Sequence, residues 1–438
     1  MTLSRVPVLF GDEFLSSWPP SPRGNREKSR NRHFGRFANP SDLVSALPMA
    51  ANTQGCDLPE EMISEILIRL PRKYLLRCGA VCKAWRRLTA DRSLLFNHHL
   101  RQPAQPLITF FHERSDALGF STNCLEAVDL AADTRRRVLA RFADKERRWD
   151  RDRNYNAFYA LGIHGSCDGL VLLSFESSNA FNTTFFVCNP ATRQGTLLPL
   201  PRDVLGIAGF YAHAGAASRE YRVLYLYRRR DNDESECFIL TLGSQVPRSI
   251  QRRASSAAVF GEVERVLHGA CSWPPVLLHG SLHWPPTRQQ QGGILLVFHT
   301  DAESFSSIPP PAAAGACEHA RLFEMDGKLA MFCWQKNTWT SDLWLMDDYQ
   351  AAVWIRRHQI ELSPMPRPSQ GFLWNPPFVY RGGDMLIDGA WRSVLHYDSK
   401  GQLQGSFGCD VFRLQLTPYL LKESLVLHDF LHEFLGVA

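Results

Sequence analysis

One short pattern recurs four times beyond residue 165, and it limits the fold more than anything else in the 438 residues. It reads Cys167-Asp-Gly169-Leu-Val-Leu-Leu, then His279-Gly280-Ser-Leu-His-Trp, then Met325-Asp-Gly327-Lys-Leu-Ala-Met, and finally Arg381-Gly-Gly383-Asp-Met-Leu-Ile. Each is a strand, a glycine turn and a second apolar strand. In the first three, a further run reaches a polar turn 20 residues after the glycine, at Asn189, Thr300 and Asp347. Another apolar segment follows each time, at Thr196–Leu198, Phe305–Ile308 and Ala351–Trp354. Gly280 and Gly327 are 47 apart, Gly327 and Gly383 are 56 apart, and the 111 from Gly169 to Gly280 leave room for one more unit. Tyr221–Tyr227 and Cys237–Leu242 supply its strands without a glycine hairpin.

A unit of four short strands at this period predicts the blade of a β-propeller. Leu107–Phe111 and Glu126–Leu130 read as an earlier partial blade, and Leu416–Val426 as the segment that closes the ring and removes the free edges. The spacing fits about six blades. Paired β-sandwiches are the alternative for so many strands.

Residues 57–100 have a different period. Met62, Ile63, Ile66, Leu67 and Leu70 fall at helical spacing. Asp57 is placed to cap that helix, Glu60 to complete a capping box, and Pro71 to stop it. A second short helix runs from Arg72 to Cys78 and should end at Gly79 in a left-handed stop. Val81, Trp85 and Leu88 mark a third, and Asp91 caps a last one through Leu94, Leu95 and Leu100. A module of about 45 residues has a marginal core of its own. Ile68, Leu58, Leu75 and Leu76 nevertheless add apolar surface off the main stripe or near the helix ends. Some of that surface needs a partner.

This stretch resembles the F-box. Its elements are Leu58-Pro59-Glu60-Glu61, Ile66-Leu67, Leu70-Pro71, Leu75-Leu76, Val81-Cys82-Lys83-Ala84-Trp85 and Asp91-Arg92-Ser93-Leu94, with Cys78-Gly79-Ala80 as a small departure. The resemblance implies docking on a Skp-type adaptor, and through it on a cullin ubiquitin ligase, by Leu58, Pro59, Ile66, Leu67, Leu70, Pro71, Leu75, Val81 and Trp85. Residues 105–430 resemble the plant F-box-associated, kelch-like domain at Gly165–Leu173, Val187–Arg193, Leu197–Pro201, Gly280–Trp284 and Pro418-Tyr419…Glu423-Ser-Leu425. The chain is thus expected to be an α + β multidomain protein: a disordered tail over 1–56, an F-box over 57–102 and an all-β propeller over 105–438. Such a protein would be a substrate-recognition subunit, with an unidentified protein substrate at the propeller. A non-degradative scaffold, or a propeller that binds glycans or acts as an enzyme, are the other readings.

Composition removes several classes. The net charge of +5 is too slight to argue for nucleic acid. No run approaches the roughly 18 apolar residues of a membrane span. The first fourteen residues, broken by Arg5, Pro7, Asp12 and Glu13, do not read as a secretory leader. Eleven cysteines without a C-x-x-C pair suit reduced thiols, and therefore the cytoplasm or nucleus, and contain no RING-type zinc pattern. Trp18–His33 is rich in breakers and charge, as a solvated tail would be.

No catalytic set, metal site or cofactor motif is predicted. The histidines lack ligand spacing, and the acidic pairs Asp347-Asp348 and Asp231-Asn-Asp-Glu234 lie on expected turns. Cys82 reads as a packing residue. Substrate contact is assigned by residue type to Trp149, Tyr155, Trp339, Arg367 and Trp374 on long insertions, since Trp, Tyr and Arg dominate binding hot spots.

Overall fold

The computed structural model describes residues 8–9, 58–112 and, with interruptions, 122–433. It divides into two compact units, residues 12–89 and residues 1–11 with 90–438.

The larger unit is a ring of six antiparallel sheets, so the paired-sandwich alternative is set aside. Blade 1 holds Gln105–His112, Thr122–Asp129 and Arg135–Ala143. Blade 2 holds Leu161–Cys167, Leu170–Ser177, Asn182–Asn189 and Gln194–Leu197. Blade 3 holds Val204–Ala214, Arg219–Arg228, Ser235–Thr241 and Arg248–Ser249. Blade 4 holds Val276–Leu278, Ser281–Trp284, Leu295–His299 and Ser304–Ile308. Blade 5 holds His319–Met325, Lys328–Gln335, Thr340–Asp348 and Val353–Glu361. Blade 6 holds Phe378–Val379, Met385–Asp388, Ser393–Tyr397 and Leu403–Gly408.

The ring is closed by Leu414–Leu421, which pairs with Gln105–His112 to give blade 1 its innermost strand from the far end of the chain. Two blades also gain a fifth, outer strand. His432–Glu433 pairs with Gln194 and Gly195 of blade 2, and Val8–Leu9 pairs with Arg141 and Phe142 of blade 1. Residues 8 and 9 therefore do not share the disorder expected of residues 1–56.

The turns explain the glycine pattern. Asp168-Gly169, His279-Gly280 and Asp326-Gly327 all have positive φ, from 47° to 86°. Two such residues in succession make the type I′ turn whose twist matches the flanking strands. Gly383 shares the positive φ, at 91°. The central strands are apolar on both faces because each blade is covered by two neighbours. Leu170, Val171, Leu172 and Leu173 are all fully buried. A separate apolar cluster fills each of the six seams, for example Leu107, Phe142 and Phe186 between blades 1 and 2, and Trp284, Phe298 and Tyr211 between blades 3 and 4.

The smaller unit carries three short helices, α1 (Glu60–Leu67), α2 (Arg72–Cys78) and α3 (Lys83–Ala90, whose last residue falls in the larger unit). A fourth, α4 (Arg92–Arg101), packs within the larger unit. Asp91 caps it as expected, its Oδ1 accepting from the Leu94 N–H at 2.9 Å.

Candidate functional site

The three-helix unit is the candidate docking site, and its caps differ from expectation. Residue 57 lies outside the described residues; the N-cap position of α1 is held by Pro59, with no side-chain cap bond. The helix also stops three residues short of Leu70. Two tight bonds, Arg69 N to Ile66 O at 3.0 Å and Leu70 N to Leu67 O at 3.1 Å, wind its end down to Pro71. Glu60, instead of completing a capping box, pairs with Arg87 of α3. Both side chains are largely exposed, so the pair orients the helices and adds little stability.

Gly79 is right-handed, with φ −61°, so it is no left-handed stop. Space there is tight: a Cβ would stand 3.0 Å from the Thr89 hydroxyl. Cys82 is exposed, not packed, and its Sγ accepts from the Trp85 N–H at 3.4 Å, at the start of α3.

Burial sorts the nine expected contact residues. Leu58, Pro59, Ile66, Pro71 and Val81 are exposed, and Leu70 and Trp85 are half-buried. Leu67 and Leu75 are 0 % and 1 % exposed. That corrects their assignment: a side chain with no accessible surface belongs to the interior that holds the face in place. The helical stripe mixed the two sets because Ile66 and Leu67 are neighbours along it.

Met62, Tyr74 and Leu76 join the outward face, at 52 %, 53 % and 51 % exposed, beside Leu58 at 48 %, Ile66 at 48 % and Val81 at 65 %. Met62 and Ile66 are one helical turn apart, which the stripe did show. Tyr74 was missed because an aromatic between Lys73 and Leu75 has no periodic partner in so short a helix. Six large apolar side chains are thus exposed between residues 58 and 81.

In the propeller, two segments read as plain turns, Asp168-Gly169 and the one at Asn189, meet the closing segment. Gly169 is packed so tightly that a Cβ would lie 2.3 Å from Ser424 Cβ. Fully buried Asn189 donates from Nδ2 to the carbonyl of Ser424 at 3.0 Å, while its Oδ1 accepts from the Ala191 N–H at 3.0 Å. Asp168 pairs with Arg219 of blade 3 at 2.5 Å, accepts from the Tyr221 hydroxyl at 3.2 Å and stands 3.6 Å from His99 of α4. Burial alone would push the Asp168 carboxyl up, but His99, Arg219 and Tyr221 outweigh it and hold it below the usual carboxylate range. His99 Nδ1 donates to the Glu423 carbonyl at 3.0 Å, and Arg137 of blade 1 pairs with the Glu423 carboxylate at 2.6 Å. These groups bolt α4, three blades and the closing segment together, which is structural work.

The five residues expected to touch substrate, Trp149, Tyr155, Trp339, Arg367 and Trp374, lie outside the described residues. Among the described residues no group of His, Cys, Asp or Glu is arranged to hold a metal, and no helix is long and apolar enough to cross a membrane.

The chain thus carries a small helical unit with exposed apolar side chains and a closed six-bladed β-propeller. Comparison with known families agrees. The F-box associated beta propeller domain model matches residues 147–370, and an F-box-like model matches residues 55–101. The first spans half the chain, and the chain belongs to the F-box-associated β-propeller family of plant F-box proteins. It is 25 % identical over 385 residues to F-box protein At3g07870 of Arabidopsis thaliana, covering 78 % of this chain and 85 % of the relative. F-box/kelch-repeat protein At3g23880 of the same plant is 21 % identical over 301 residues, covering 67 % and 76 %. Among solved structures, an acylaminoacyl peptidase of Pyrococcus horikoshii aligns over 69 % of this chain and 45 % of its own at 10 % identity and a TM-score of 0.31, a likeness too loose to carry a functional argument.

Proposed function

We propose that this chain is the substrate receptor of an SCF-type ubiquitin ligase: the helical unit docks on a Skp-type adaptor and through it on a cullin, and the propeller presents a protein substrate. The observation that carries this reading is the exposed set Leu58, Met62, Ile66, Tyr74, Leu76 and Val81 in a segment matched by an F-box-like model. Such a receptor makes and breaks no covalent bond itself. It accelerates transfer by holding a substrate near the conjugating enzyme, turning a rare encounter into a tethered one.

The test is proximity labelling in cells by the full chain, followed by proteasome inhibition. Substrates labelled by the receptor should rise in abundance on inhibition, and rise equally when Leu58→Ala with Pro59→Ala replaces the native hook. Labelled partners whose levels respond to neither would identify a non-degradative scaffold instead.

A further inference from the structure

The outer edge of blade 1 is closed by only two residues. Val8 and Leu9 pair antiparallel with Phe142 and Arg141, on the outer side of the nine-residue strand Arg135–Ala143. Among the described residues no strand pairs with that side over 135–140. Carried on in the same register, a strand would lay its next six residues opposite Ala140 to Arg135. This chain has little to offer there. Phe10 is followed by Gly11-Asp12-Glu13, all poor strand formers, and on the other side Pro7 has no N–H to give. Two ladder pairs barely offset the entropy of ordering the residues that make them.

The accepting strand, by contrast, is firmly mounted. Leu139, Ala140 and Phe142 are buried in the seam with blade 2. Arg136 is tied to Glu126 at 2.7 Å and Arg137 to Glu423 at 2.6 Å. A preformed edge takes an added strand at little cost in ordering. Blade 2 repeats the arrangement, with His432–Glu433 added at its outer edge against Gly195 and Gln194. An added antiparallel strand is the geometry of β-augmentation, and an edge left bare is a template for foreign strands.

We propose that the outer edge of blade 1 is a strand-acceptor site, held closed in cis by residues 8 and 9. Its ligand is an extended segment of a partner polypeptide, with β-forming residues where this chain has Gly11-Asp12. Such a strand continues the ladder towards Arg135 and displaces the shorter cis strand. The inference needs neither the adaptor nor ubiquitin transfer, so it stands apart from the ligase reading. The probes are two synthetic peptides of residues 3–13, each with the photoreactive p-benzoylphenylalanine in place of Phe10. One is otherwise natural, and the other also carries Gly11→Val and Asp12→Thr. Each is irradiated with the full chain and with a chain lacking residues 1–11. The substituted peptide should label residues 135–143 at least about tenfold more than the natural one, through its longer ladder. It should label the truncated chain at least about tenfold more than the full chain, where the cis strand competes at high effective concentration. Leu9→Pro in the full chain should raise labelling to a similar degree, an arm that decides the matter if the truncated chain does not fold. Equal labelling of full and truncated chains, equal labelling by the two peptides, unchanged labelling in a folded Leu9→Pro, no labelling, or labels confined to other segments would overturn the proposal.

Discussion

Residue by residue, backbone handedness accounts for which turns could be foreseen. The turn after the first strand of three blades needs a positive φ, and glycine advertises that at 169, 280 and 327. The turn after the third strand makes the same demand, at Arg193, Glu303 and Ala352, with φ of 60°, 50° and 52°. No glycine marks those positions, so the sequence showed only a polar stretch at 193 and 303 and read Ala352 as part of the apolar segment that the structure starts at Val353. A non-glycine residue there costs about 1 kcal/mol. Ala352→Gly, at a partly exposed turn, should therefore stabilise the protein by roughly 0.5–1 kcal/mol in chemical denaturation; a loss of stability would refute the strain argument. Asn189 is the reverse case. Its side chain was readable as a turn former but not as the clamp on Ser424, because the partner lies 235 residues away. Asn189→Ala should cost about 1–3 kcal/mol by stranding buried backbone groups, and an unchanged midpoint would remove it from the latch.

For the elements, the blades were legible and the helices only half so. A strand covered on both faces leaves a continuous apolar run, which the eye finds without knowing its neighbours. Helical periodicity gives a stripe but not the side of it that is covered, so Leu67 and Leu75 were grouped with Leu58 and Ile66. The contacts of α4 with the propeller were hidden for a related reason: His99 reads as a polar residue until Asp168 and Glu423 meet it. Hydrogen exchange separates the units. Amides of Leu94–Leu100 should share the protection of Leu414–Leu421, while those of α1–α3 open at lower free energy. Protection of α4 that follows α3 would show that α4 opens with the helical unit and not with the propeller.

Across the whole molecule, the propeller is rigid through apolar seams and buried neutral histidines. Burial pushes His164, His283 and His428 down to about 4. Because the folded values are depressed, the stability they carry is complete above the ordinary value near 6.5 and is lost as pH falls toward 4. Asp168, held below its ordinary value, adds a second loss at still lower pH. Denaturation midpoints should thus fall between pH 6.5 and 4 before any carboxylate effect, and a flat profile over that window would contradict the assignment. Such a body suits presentation, and the exposed apolar face of the small unit suits attachment.

The direct measurement is calorimetric titration of the full chain with a purified Skp-type adaptor, native and with Ile66→Asp. The account predicts saturable one-to-one binding that weakens by at least about 2 kcal/mol, roughly thirtyfold, in the variant, with the fold intact by circular dichroism. Adaptor binding of equal strength in both proteins, or none in the native one, would contradict it.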